Sequence, residues 1–356
     1  MKQIVKTLFL TVAAMGALTA CKKWTETESI KVTYETIETK NPDLYAKYIA
    51  SIFDYHQTDH QVLIAKFDNV PGVPAVRTDH INALPDSVDY VVLTKPENLS
   101  EATLREAGQM RADKGIKTLM QVDLSAAVAS YDAVLDAEWE AYEAMEEPTE
   151  EDIPVDTPER LQAFVTPIVE AALKAAGDLD GIHVVFSAMN PIAFSDEKRA
   201  DVTARQEVLF APVNAWLSDR ADALVFFEGI PGHIICATPV IERARYIVVP
   251  AYTANNVKSI SYEVGKAMIA SPGMPTDRMV AGVATIDPFD LSNTEGYFDG
   301  GMTAVEGAGY WSIASEPECV KKGVCVSHAQ YGYYGKERVY AEMSKAISVM
   351  NPSISK

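Results

Sequence analysis

Asp180-Gly181-Ile182-His183-Val184-Val185-Phe186-Ser187, DGIHVVFS, is an apolar run that leaves an acidic turn, carries β-branched and aromatic side chains, and ends on a serine. Such a run, bounded by turn residues, reads as a strand covered on both faces, the kind found in parallel sheets. Seven further runs share this character: Val62–Phe67, Val88–Leu93, Lys117–Val122, Ala223–Phe227, Tyr246–Ala251, Met279–Thr285 and Gly323–Ser327. Polar stretches with helical spacing separate them. In Ser100–Lys114 the serine caps the start, Leu104 and Ala107 face inward, and Gly115 ends the helix. Thr157–Ala176, Glu197–Leu217, Val257–Ala270 and Lys336–Met350 read the same way, the last with Val339, Met343 and Ile347 on one stripe. Leu44–Phe53 is a further helix ahead of the first run. Eight strands alternating with helices predict a single-domain α/β fold, a (β/α)8 TIM barrel over residues 42–352. No glycine-rich nucleotide fingerprint follows the first run, which argues against the doubly wound alternative.

The N-terminus has its own logic. Lys2 and Lys6 precede an apolar run, Leu8–Leu18, and Leu18-Thr19-Ala20-Cys21 supplies a small-residue cleavage site, so residues 1–20 read as a signal peptide. The run is far shorter than the roughly 20 residues that span a bilayer. Cys21 is then the lipidated first residue of an exported protein, partnered with a membrane through its lipid anchor. Residues 21–41, polar and rich in Thr and Glu, form a tether. The formal net charge is −19, and loss of Lys2 and Lys6 with the leader makes it −21. A surface so acidic excludes nucleic acid as a partner.

Three cysteines remain after Cys21. Cys319 and Cys325, six residues apart in an oxidising compartment, are candidates for a disulfide, whereas Cys236 in an apolar stretch reads as a buried free thiol. The spacing of Cys and His matches no metal site, and nothing points to a cofactor. The acidic stretch Asp136–Asp156 reads as a solvated helix end and loop.

In a barrel of this kind the site lies at the C-terminal ends of the strands. There the sequence places Asp68, Asn69, Thr94, Lys95, Asp123, Ser187 to Asn190, Glu228, Tyr252, Asp287 and His328 to Tyr334. Amides and carboxylates interleaved with tyrosines are what a sugar site uses, because aromatic faces stack on pyranose rings and polar groups pair with hydroxyls. They form no convincing Ser-His-Asp or metal set.

Asp59-His60-Gln61-Val62, Leu84 to Tyr90 (LPDSVDY), Asp180-Gly181-Ile182 and the closing Val349-Met350-Asn351-Pro352 resemble, in order and spacing, glycoside hydrolase family 18. The resemblance is to the lipid-anchored endo-β-N-acetylglucosaminidase-like branch of gut Bacteroidota, and it runs from about residue 42 to 352. It implies the same barrel fold. Active members carry D-G-x-D-x-D-x-E on the fourth strand. The Glu is the general acid, and the Asp two residues before it steadies the substrate's N-acetyl group during substrate-assisted cleavage. Here Asp180 and Gly181 match, but His183, Val185 and Ser187 stand at the carboxylate positions. All three share one face of the strand. A serine hydroxyl is far too weak an acid for the role, and a missing positioned acid costs about 10²–10⁴-fold.

The expectation is therefore a non-catalytic glycan-binding lipoprotein at the outer membrane, on its cell-surface or periplasmic face. It would hold GlcNAc-containing oligosaccharides, N-glycans among them, for neighbouring glycan-import proteins. Asn69, Asp123, Asn190, Glu228, Tyr252, Tyr331 and Tyr333 are its candidate sugar contacts; the resemblance implies for Tyr252 a contact with the N-acetyl group. A divergent endo-β-N-acetylglucosaminidase using Asp123 or Glu228 is the alternative, and a scaffold or interaction protein the third reading. His183, alone in an apolar strand, reads as a packed core residue.

Overall fold

Each of the eight apolar runs forms a strand, and the strands close on themselves in sequence order, every one parallel to both neighbours, in a computed structural model that describes residues 37–290, 292–316, 318–335 and 337–352. The strands are β1 (Val62–Phe67), β2 (Tyr90–Leu93), β3 (Lys117–Asp123), β4 (Gly181–Phe186), β5 (Leu224–Gly229), β6 (Tyr246–Pro250), β7 (Met279–Ala284) and β8 (Lys321–Ser327). β1 and β8 complete the ring, with Val62 opposite Gly323 and Ala65 opposite Val326. The architecture is the (β/α)8 TIM barrel. The proposed signal peptide, Cys21 and residues 21–36 of the tether lie outside the described residues.

The chain divides between Tyr48 and Ile49. The first unit, as described, holds a turn of helix at Ile37–Lys40 and the start of helix α1 (Pro42–Gln57), which ends in the second. The second unit is the barrel. Around it run α2 (Glu101–Lys114), α3 (Leu124–Glu143), α4 (Pro158–Ala175), α5 (Asp196–Ser218), α6 (Val257–Ala270), α7 (Ala304–Ile313) and α8 (Ala341–Met350). Side-chain caps start six of these seven: Ser100, Asp123, Thr157, Ser195, Asn256 and Thr303 each accept from a backbone N–H in the first turn, a contact of about 1 kcal/mol. Gly115 ends α2 at φ 77°, the left-handed turn that glycine takes without strain. α8 begins only at Ala341, after Tyr340 at φ 54°, so Val339 lies outside the helix and is exposed. β1 leads to β2 through two 3₁₀ turns, Arg77–Asp79 and Ile81–Ala83, with no α-helix between them.

Two cores result from strands apolar on both faces. The outer one fills the space between sheet and helices and takes in Trp311 of α7, fully buried. The inner one lies within the barrel: Val62, Ile64, Val92, Leu119, Val248, Val280 and Cys325 surround the rings of Tyr90, Phe226 and Tyr246, whose centroids are 4.9 to 5.7 Å apart. This aromatic layer plugs the lower barrel and forms the floor on which the polar groups of the upper barrel rest. Asp136–Asp156 is the end of α3 and an exposed loop, as its charge requires. Among the described residues no helix is long and apolar enough to cross a membrane.

The two cysteines do not pair. Cys325 points into the barrel with the inner core, while Cys319, ahead of β8, packs toward the outer core with its thiol 4.0 Å from Glu316. The sheet stands between the two environments, and both thiols are free, as is the half-buried Cys236.

Candidate functional site

Inward-facing positions alternate along each strand, and above the aromatic floor they turn polar. Lys66 from β1, His183 from β4 and Glu228 from β5 meet there with Tyr252, two residues past β6. Glu228 Oε2 accepts from Lys66 Nζ at 2.8 Å and lies 2.8 Å from His183 Nε2; Oε1 accepts from the Tyr252 hydroxyl at 2.7 Å. Ser327, at the end of β8, donates to the Tyr252 oxygen at 3.2 Å. Glu228 is only 3% exposed and His183 fully buried.

Burial by itself opposes charge on all of these groups. For Glu228 the Lys66 ammonium and the His183 hydrogen bond outweigh it and hold the carboxyl well below the usual carboxylate range. Lys66, equally desolvated, is kept charged by Glu228, which raises its pKa. For His183 burial prevails and lowers the pKa, so the imidazole is neutral and its Nε2–H donates to Glu228. Its Nδ1 is then a buried acceptor with no partner among the described residues. Burial and the Glu228 carboxylate push the Tyr252 hydroxyl well up, so it stays protonated.

A second network crowns the rim where β1 and β8 end. Asp68 accepts from Thr94 and from Gln330 (2.7 Å) and lies 2.6 Å from His328 Nδ1. These bonds override burial and hold the Asp68 carboxyl far down, while Asp68 raises the His328 pKa. His328 sits at φ 53°, a left-handed conformation costly for a non-glycine residue, and its ring stacks on Tyr331 with centroids 5.4 Å apart. The exposed Phe289 and Tyr334 extend this aromatic surface, their centroids 5.2 Å apart.

The positions singled out in the sequence separate into distinct roles. Asp180 stands at the opposite, N-terminal end of β4, where its carboxylate accepts from Thr118 N–H (2.9 Å) and Arg111 (3.0 Å). Val185 is half-buried between its register partners Asp123 on β3 and Glu228 on β5. Ser187 is exposed past the strand, its N–H donating to Ser125 Oγ at 2.6 Å. Asp123 caps α3 through Ala126 N–H and accepts from Gln121.

Three candidate sugar contacts have local occupations instead. Asn69 is buried and spends both ends of its amide on the Lys95 backbone, tying the β1 and β2 loops. Asn190 caps the turn Pro191–Ala193 through Ile192 N–H. Tyr333 packs on the outer core against Tyr340, with centroids 5.8 Å apart. Tyr252 and Tyr331 remain at the mouth. Sequence reading missed Lys66, although it is the single charge in VLIAKF and alternates with the inward Val62 and Ile64. Among the described residues no cluster of His, Cys, Asp and Glu is placed to hold a metal ion.

Residues 25–349 match the family model described as glycoside hydrolase family 18, BT1044-like. Comparison with curated proteins gave no match. Among solved structures, a selenomethionine form of BT1044 with a Glu→Gln substitution superimposes with TM-score 0.57 at 19% identity, over 88% of this chain and 95% of that one, and so shares the fold. A putative chitinase A from Streptomyces coelicolor gives TM-score 0.44 at 11% identity, over 82% and 98% of the two chains. Human YKL-39, described as a pseudo-chitinase that retains chitooligosaccharide binding, gives 0.39 at 8%, over 81% and 98%.

Proposed function

The chain belongs to glycoside hydrolase family 18, in its BT1044-like branch, and from that premise we propose that it is a glycan-binding protein that has given up hydrolysis. The observation that carries this is the fourth strand. Val185 and Ser187 stand where the family resemblance read in the sequence expects the two working carboxylates, and the neighbouring carboxylate in the register, Glu228, is committed to Lys66, His183 and Tyr252.

A general acid must hold a proton near neutral pH and release it to the glycosidic oxygen. Glu228 does the reverse: its donors keep it ionised, and it lies buried behind Tyr252. Asp123 is bonded to its own helix start. Neither supports the reading of a divergent endoglycosidase. What remains at the mouth is recognition chemistry: the half-buried Tyr252 and the aromatic rim of Tyr331, Phe289 and Tyr334 around the Asp68–His328 pair. The ligand in this reading is a GlcNAc-containing oligosaccharide, held for neighbouring hydrolases and importers. The lipid anchor at Cys21 and the outer-membrane location belong to the same proposal and rest on the leader sequence.

The test pairs two measurements on one preparation. Incubation with N-glycoproteins and chito-oligosaccharides should release no sugar by mass spectrometry, while calorimetry with the same glycans should show binding. Catalytic turnover overturns the loss of hydrolysis, and absence of binding to any glycan of either class overturns the binder.

A further inference from the structure

Beside the barrel mouth, a cavity of about 570 Å³ opens between the loop after β7, the start of α7, the turn Ala329–Tyr334 and the first turns of α8. It shares Tyr331 and Tyr334 with the aromatic rim, and its lining includes neither Lys66 nor Glu228 of the barrel interior. Its size is that of a small-molecule site.

The charge on its walls is one-sided. Lys345 is the one cationic lining residue among the described residues, and Glu337 already pairs with it at 3.4 Å. Asp287, Glu306 and Glu342 also line the cavity and form no ion pair among the described residues. Glu342, on α8, has its Oε2 fully buried and without a hydrogen-bond partner among the described residues. Burial, reinforced by Glu306 from α7 and opposed by the Thr303 hydroxyl, pushes its carboxyl up to about 7. A carboxylate desolvated without a counter-charge is costly, and a cation beside it removes that cost. The rest of the wall suits the body of such a cation. Tyr331 and Tyr334 line it, and aromatic faces attract ammonium groups as well as apolar ring faces.

We propose that this cavity binds an organic cation, its ammonium between Glu306 and Glu342 and its body against Tyr331 and Tyr334. Two kinds of molecule carry that chemistry, a sugar with a free amine and a non-sugar amine. The site shares Tyr331 and Tyr334 with the glycan reading of the barrel mouth but differs from it in the charge it selects, since an N-acetylated sugar has no ammonium to offer.

Calorimetry on the full barrel with glucosamine disaccharide, its N,N′-diacetyl counterpart and choline tests this. The glucosamine disaccharide and choline should both bind, and E306Q and E342Q should each weaken them by roughly tenfold or more, the scale of a desolvated charge contact. Those two variants should leave binding of the diacetyl sugar unchanged. Choline, whose charge does not titrate, should bind more tightly at pH 8 than at pH 6 as Glu342 ionises, and E342Q should flatten that dependence. Preference for the disaccharide over choline assigns the site to amino sugars, and the opposite preference to non-sugar amines; both support the cation. Absence of amine binding, or amine binding that both glutamine variants retain in full, overturns the proposal. A thermal melt of each variant separates loss of binding from loss of fold, and E306Q stands in should E342Q fail to fold.

Discussion

Lys66 and Glu228 project from β1 and β5, opposite strands of the eight, and meet at 2.8 Å inside the barrel. The pair therefore spans the interior and closes it from above, over the Tyr90–Phe226–Tyr246 layer. Breaking a buried ion pair by removing one partner costs about 3–5 kcal/mol, because the other charge stays desolvated. K66M and E228Q should each lose stability on that scale in urea unfolding. The double variant K66M/E228Q should lose much less than the sum, since no uncompensated charge remains. Simple additivity of the two losses would show that the charges are not coupled.

At the bottom of the barrel His60 is clamped by acceptors on both ring nitrogens: Nε2 lies 2.7 Å from Asp89 Oδ1 and Nδ1 2.9 Å from the Thr58 carbonyl oxygen. Burial opposes the charge, but the bonds to Asp89 and Thr58 override it and raise the His60 pKa. A raised histidine stabilises the fold fully below its unfolded pKa of about 6.5, and that contribution is lost as pH rises through the folded value. His183, with a lowered pKa, acts with the opposite sign, losing stability as pH falls below about 6.5. The stability difference between wild type and H60Q isolates the first effect. It should shrink from pH 6 to pH 8.5 in denaturant titrations, and a constant difference would count against the imidazolium.

Tyr331 and Tyr333, two residues apart in one turn, should behave as different kinds of residue. Tyr331 stacks on His328 at the rim, whereas the half-buried Tyr333 packs against the outer core beside Tyr340. Y331A should cut glycan affinity with little change in melting temperature, the loss of one stacking face being worth about 0.5–1.5 kcal/mol. Y333A should destabilise the fold, by less than the ~3–5 kcal/mol of truncating a fully buried aromatic ring, since Tyr333 is half-buried. At temperatures where Y333A is folded, its affinity should be that of wild type. Equal effects of both changes on affinity would mean that the turn, and not Tyr331, is the recognition element.

How far the sequence alone reaches is visible in DGIHVVFS itself. Asp180 and Gly181 serve the architecture: the carboxylate pins Thr118 and Arg111, and a Cβ at Gly181 would lie 2.0 Å from the Leu224 carbonyl oxygen across the sheet. Strand count and order were legible because both faces of every strand are buried, which leaves a continuous apolar signal. The site was legible only as a set of strand ends. That Asn69 ties its loop to Lys95 and that Lys66 reaches Glu228 depends on contacts between residues 26 and 162 positions apart, which no local pattern encodes, whereas the Asn190 cap on Ile192, two residues on, is a local Asn-Pro turn that could have been read. The proposed pairing of Cys319 with Cys325 failed for the same reason, since six residues of separation say nothing about which side of a sheet each faces.

The two carboxylates that the family resemblance expects at positions 185 and 187 can be introduced in place. Val185 is half-buried between Asp123 and Glu228, and Ser187 is exposed at the strand end, so V185D/S187E adds both carboxylates without filling a packed core position. The carboxyl introduced at position 185 would have two carboxylate neighbours in its layer, which raises its pKa; the one introduced at position 187 would stand in solvent with room to meet a glycosidic oxygen. A positioned acid contributes about 10²–10⁴-fold. The double variant should therefore release sugar from a bound chito-oligosaccharide or N-glycan at a rate mass spectrometry detects, and S187E alone should release far less, having no group to steady the N-acetyl. The competing factor is Tyr252, whose hydroxyl donates to Glu228 at 2.7 Å and is not free for the N-acetyl contact that the family resemblance implies. A double variant that still binds the glycan but releases nothing would mean that the ligand no longer lies along the fourth strand, and the proposed placement of the sugar at the barrel mouth would fall with it.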